Sequence, residues 1–141
     1  MMQHRTQPTK DSCMATCIAI IAGVDENEAC ARWHEKFQCR TAWLDTALDK
    51  YGIPYMYGSP RSATLLRGFT YLLSVPSLNI RDGLHQVVAF LPRNGEIQIL
   101  DPVKGREGSL HYVYGAPEGG GEVEIKSWSV DLIIPIFEDE Q

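Results

Sequence analysis

The chain has 141 residues, 44% of them hydrophobic and 22% charged, the profile of one ordinary folded domain of the roughly 100–200-residue class. Thirteen Lys and Arg against eighteen Asp and Glu leave a formal net charge of −5. That acidic balance, with no Lys/Arg run, argues against nucleic acid as a partner, because domains that grip phosphate backbones are usually basic.

Residues 1–11 are polar and read as an extended arm. Asp11-Ser12 is a helix start signal. The run from Cys13 to Val24, C-M-A-T-C-I-A-I-I-A-G-V, is apolar on nearly every face. A helix of that kind is expected at the centre of the fold, with Gly23 as its stop. Asp25 and Glu28 form a capping pair for a second helix over about 26–37. Thr41 is the expected cap of a third over about 42–51, whose Trp43, Ala47, Leu48 and Tyr51 form one stripe and which Gly52 ends. The texture then changes to strands at Ile53–Tyr57, Phe69–Val75, Gln86–Leu91, Glu96–Leu100, Ser109–Tyr114, Val123–Trp128 and Val130–Phe137. Asn94-Gly95 is a hairpin signal between the third and fourth of these. Residues 115–122 read as a Gly-rich loop, and the tail at 138–141 is acidic. Helices first and an antiparallel sheet afterwards make an α+β layout, expected as a single domain over residues 1–141.

No apolar run approaches the roughly 18 residues of a membrane span. The first five residues lead into polar ones and not into the apolar stretch of a signal peptide, so the expected compartment is the cytoplasm. There the four cysteines, Cys13, Cys17, Cys30 and Cys39, are expected as free thiols.

Cys13 stands in the first turn of the expected central helix. Unpaired N–H groups and aligned peptide dipoles make a helix N-terminus partly positive, and that field favours a thiolate over a thiol. Asp11 opposes it by like charge. A thiolate is a nucleophile, so the position suits covalent catalysis. It suits a small buried hydrophobe equally well. Gln7, six residues earlier, has an amide that can fold back over the thiol and join the Cys13 backbone N–H in holding an oxyanion.

His85 stands at the start of the strand that ends at Leu91, and Asp101 closes the strand before it. Register decides whether they meet. A two-residue loop at Asn94-Gly95 pairs Asp101 with Val88 and leaves His85 on the opposite face. A three-residue loop, Arg93-Asn94-Gly95, pairs Asp101 with Val87. His85 is then a diagonal neighbour on the same face, within side-chain reach, and Gly95 takes the left-handed position of a bulged turn. The three-residue loop is therefore the expectation if the pair works together. A surface His and an Asp-Pro turn are the plainer alternative. A nucleophile, a base, an orienting group and an oxyanion donor are the four roles a thiol hydrolase needs, and Cys13, His85, Asp101 and Gln7 can fill them.

These residues resemble a known family. Gln7, five residues, then Cys13 and its apolar run are similar to the start of the papain-like bacteriocin-processing peptidases, where a Gln precedes a Cys-Gly and an A-C-L-A-M-I-type helix. Leu84-His85-Gln86-Val87-Val88 and Asp101-Pro102-Val103-Lys104-Gly105 resemble the family's H-x-V-V and D-P-x-x-G segments. Ser127-Trp128 and the strand after it resemble its closing strand. The resemblance implies a papain-like fold and a cysteine peptidase with Cys13 as nucleophile, His85 as base and acid, Asp101 as orienting residue and Gln7 as oxyanion donor. It implies a peptide or protein substrate bound extended in a cleft between helices and sheet, with no cofactor and no metal. The chain looks more like the small stand-alone relatives of that domain than like the exporter-linked members. Met14 departs from the pattern: it stands where the family has Gly, so Gly-Gly specificity is not assumed for this chain.

Other readings weigh less. Cys13 and Cys17, with Cys30, His34 and Cys39, offer metal ligands, but their spacings fall inside helices and not across a loop as in structural zinc sites. Cys17 and Cys30 suit core positions. A catalytically silent peptide-binding module of the same fold remains open. So do deamidation, acyl transfer and isopeptide cleavage, which use the same groups.

Overall fold

Helix α1 (Cys13–Ala22) is central, as its all-round apolarity predicts: Ala15, Cys17, Ile18 and Ala19 are wholly buried. Gly23 ends it with φ +71°, and its N–H donates to the Ala19 carbonyl. A left-handed residue at that position suits glycine, which has no Cβ to clash. Ser12 stands at the N-cap without capping. Its hydroxyl is engaged one turn earlier, accepting the Thr9 N–H and donating to the Thr9 carbonyl. The computed structural model describes residues 2–59 and 64–137, so the acidic tail lies outside the described residues.

The second helix opens as read, with the Asp25 carboxylate accepting the N–H groups of Asn27 and Glu28. It is not a plain α-helix. Helix α2 (Glu26–Ala29) runs through a π-helical turn (Cys30–His34) into α3 (Glu35–Gln38), with Ala29, Trp33 and Phe37 buried. Helix α4 (Leu44–Lys50) starts later than the expected Thr41 cap. The Thr41 hydroxyl donates to the Lys36 carbonyl instead, and Trp43 takes the cap position. Leu44, Ala47 and Leu48 face the core, while Trp43 turns outward.

Five strands form an antiparallel sheet in the order β1-β7-β2-β3-β4. They are β1 (Met56–Tyr57), β2 (Phe69–Pro76), β3 (Leu84–Leu91), β4 (Gln98–Leu100) and β7 (Ser129–Pro135). One face of β2, β3 and β7 sends Leu72, Val88 and Leu132 against the helices. The other sends Leu73, Val87 and Val130 against Tyr112 and Ile125 from the 110–128 segment. Both faces are therefore buried, at roughly 1.5–3 kcal/mol for each large side chain.

Several strands are shorter than the sequence suggests, β4 among them. Only Met56–Tyr57 of the first is paired, β5 is His111–Val113 and β6 is Glu122–Glu124. The last two also depart from the antiparallel expectation. They form a separate parallel pair, His111 opposite Glu122, because the loop between them crosses over instead of folding back. The β3–β4 hairpin has the three-residue-loop register: Val88 lies opposite Leu100 and Phe90 opposite Gln98. Gly95 has φ +102°.

Candidate functional site

The four residues singled out in the sequence come together at one cleft. It has a volume of about 840 Å³ and is lined by Gln7, Cys13 and His85 among others. Asp101 stands behind His85 with 1% of its surface exposed.

Cys13 is the first residue of α1 and half-buried. The helix behind it is locked by core packing, so its place is set by apolar contacts. His85 is held differently. It is the second residue of β3, and its Nε2 donates to Asp101 Oδ1 at 2.5 Å. Asp101 Oδ1 also accepts the Val103 N–H (3.0 Å), and Oδ2 accepts the Tyr112 N–H (2.8 Å). Three donors on fixed elements thus satisfy a buried carboxylate, the condition under which such a group is tolerated. Burial alone disfavours a charged imidazole at His85. The Asp101 carboxylate first, and then the nearby Cys13 sulfur, outweigh it and push the His85 pKa up to about 9. With Nε2 given to Asp101, Nδ1 is the ring nitrogen left for the thiol.

Gln7 is 2% exposed. Its Nε2 donates to the Thr9 carbonyl at 2.8 Å, which fixes the amide nitrogen and leaves its second hydrogen to give. The backbone is fixed as well: the Gln7 N–H donates to the Pro102 carbonyl at 2.7 Å. Trp43 and Met14 also line the cleft.

Sequence reasoning missed a polar layer in the cleft floor. Gln86 and Ser74 both reach it. The Gln86 amide donates to the Leu73 carbonyl and to Asp131 Oδ2, and the Ser74 hydroxyl donates to the same carboxylate oxygen at 2.6 Å. Alternating strands ordinarily turn such residues to solvent, so the pattern gave no warning. A polar residue opposite a polar residue at Ser74 and Gln86 is the signal that was there to find. Below Cys13, the Cys17 thiol donates to the Gln86 carbonyl. Burial, then the nearby Cys13, Asp101 and Asp131, push its pKa well above the ordinary thiol value, so Cys17 stays neutral and is not a second nucleophile. Cys30 is partly buried against the core and Cys39 is exposed.

Among the described residues no group of three or more His, Cys, Asp or Glu is placed to hold a metal ion, and no helix is long and apolar enough to cross a membrane. Compared with protein-family models, with curated proteins and with solved structures, the chain has no match.

Proposed function

We propose that this chain is a papain-like thiol hydrolase that cuts a peptide or peptide-like amide with Cys13, His85, Asp101 and Gln7. The observation that carries the reading is the 2.5 Å hydrogen bond from His85 to a buried Asp101, on a histidine that lines one cleft with Cys13. A surface histidine has no use for a desolvated carboxylate with three donors. The resemblance to the bacteriocin-processing peptidases and the layout of helices against an antiparallel sheet support the same assignment.

The steps follow from the groups. The Cys13 thiolate adds to the amide carbonyl carbon. The oxyanion accepts hydrogen bonds from the Gln7 amide and from backbone N–H groups at the start of α1, which no side chain caps. The His85 imidazolium delivers its Nδ1 proton to the leaving nitrogen, and the C–N bond breaks. Water then attacks the thioester carbon, with His85 taking its proton, and the C–S bond breaks, releasing the carboxylic acid and returning the Cys13 thiolate beside the His85 imidazolium. Asp101 holds the ring in the tautomer this exchange needs. Met14 lines the cleft beside the nucleophile where the resembling family has Gly, so the preferred sequence is this chain's own. No cofactor or metal takes part in this scheme.

The test is the pH dependence of alkylation at each cysteine, read by peptide mass spectrometry. An ordinary thiol titrates near roughly pH 8.5. Cys13 alone is expected to react fast well below that, and His85→Ala to remove the effect. A Cys13 rate no faster than that of exposed Cys39 overturns the reading. Cys13→Ala is expected to abolish cleavage of a peptide library while leaving the unfolding curve unchanged. Peptide captured equally by wild type and Cys13→Ala, with no product, identifies a binding module instead.

A further inference from the structure

The turn that follows Asp101 does two jobs. Its first residue holds His85. Its later residues hold the arm that carries Gln7. The Thr6 hydroxyl donates to the Lys104 carbonyl at 2.8 Å, and the His4 ring is 2.9 Å from the Asp101 carbonyl through Nε2. The Arg106 guanidinium donates through Nη1 to the carbonyls of both Gln7 (3.3 Å) and Pro8 (3.0 Å). Gly105 has φ +101°, and a Cβ there would stand 2.6 Å from Thr6 Oγ1. Only a residue without a side chain lets the arm lie this close.

Arg106 therefore grips the backbone on the C-terminal side of the amide that faces the cleft. Thr6 and the Gln7–Pro102 bond grip it on the other. A guanidinium is suited to this, since the two hydrogens of its Nη1 can serve two carbonyls at once. Among the described residues Arg106 forms no ion pair with a carboxylate, so its charge is turned to the arm and not to a surface acid.

We infer that Arg106 is a positioning residue for the oxyanion donor: it fixes Gln7 at the cleft and so ties the donor to the same turn that orients His85. The inference rests on the proposed hydrolase reading for its kinetic part and on geometry alone for its structural part.

The experiment pairs the two. Hydrogen exchange is measured on wild type, Arg106→Gln, Arg106→Lys and Gly105→Ala. In parallel, kcat and KM are measured with the fluorogenic peptide that wild type cuts fastest from a library. Arg106→Gln is expected to lose protection at the arm amides, residues 2–9, with the core of β2 and β3 unchanged. Gly105→Ala should do the same by a separate route. Removing an oxyanion donor outright lowers kcat by about 10²–10³, so Gln7→Ala sets the ceiling. Arg106→Gln should lower kcat about tenfold, less than a full loss of geometry allows, with KM nearly constant and partial recovery in Arg106→Lys. The deciding result is the double variant: in a Gln7→Ala background, Arg106→Gln should cost nothing further, because a residue acting through Gln7 has nothing left to position. An equal loss in both backgrounds overturns the inference, as does unchanged exchange in the arm. If wild type cuts no peptide, the hydrolase reading fails, and the exchange data alone decide whether Arg106 holds the arm.

Discussion

The two walls of the cleft are built by different forces. Cys13 rides on α1, where Ala15, Cys17, Ile18 and Ala19 are fully enclosed by apolar neighbours. His85 and Gln7 are placed in addition by directional hydrogen bonds from the 101–106 turn. Apolar packing is non-directional and strong in sum, whereas each hydrogen bond contributes little net stability but fixes an angle. The nucleophile's wall should therefore resist chemistry-altering substitutions and suffer in stability. The other wall should do the reverse.

The largest stability effect is expected on the helical wall. Ile18→Ala should cost about 2–5 kcal/mol in a urea titration, with near-normal turnover per folded molecule under stabilising conditions. A comparable loss of kcat in the folded fraction would erase the contrast. Asp101→Asn comes next and tests the other wall. An asparagine can present only one oxygen, so its NH₂ must face either the Tyr112 N–H or the pair of donors from His85 and Val103. At least one buried donor is left unmatched, at a cost of about 1–3 kcal/mol each. If the oxygen stays toward His85, the loss of turnover should be milder than in His85→Ala. Equal losses would mean that charge on the carboxylate matters more than its hold on the ring.

The smallest effect is pH-dependent. The folded pKa of His85, about 9, lies above its ordinary value of 6.5. A raised histidine pKa contributes stability that is full below pH 6.5 and is lost as pH rises through about 9. Urea midpoints of wild type should therefore fall across that window relative to those of His85→Gln. Parallel curves for the two proteins would show that the imidazolium is not held by its neighbours. In the proposed mechanism the same deprotonation removes the acid that protonates the leaving group, so turnover should decline on the same limb.

Much of this was legible because the relevant signals were local. All-round apolarity put α1 in the centre, and Gly23 marked its end. Period-two alternation narrowed the β3–β4 register to two choices, and the three-residue loop, with Gly95 at positive φ, was the one expected if His85 and Asp101 work together; that register is the one observed. What escaped was non-local. Nothing in residues 109–128 says that β5 and β6 pair in parallel, since that depends on a crossover. Nothing local to Gln86 or Asp131 says that the two side chains meet until the strands are stacked. The grip of Arg106 on Gln7 spans 99 positions of sequence, and neither residue carries a mark of the other. Thr41 looked like a cap because capping chemistry is shared by any threonine with a free turn to satisfy.

The π-helical turn at Cys30–His34 carries a last consequence. Ala29, Trp33 and Phe37 are spaced by four, and in a helix of 3.6 residues per turn every fourth residue overshoots by 0.4 of a residue. Over two steps a straight helix would swing Phe37 away from the core. The wider turn takes up that surplus and keeps the stripe in phase. The opposite edge is set by the same adjustment: His34 lies 3.5 Å from the Asp11 carboxylate, and the Gln38 amide donates to the Asp11 carbonyl. Deleting one residue from the turn would rotate both side chains off the segment that leads into Cys13. A single surplus residue thus acts as a gear tooth, meshing the outer helix with the approach to the cleft.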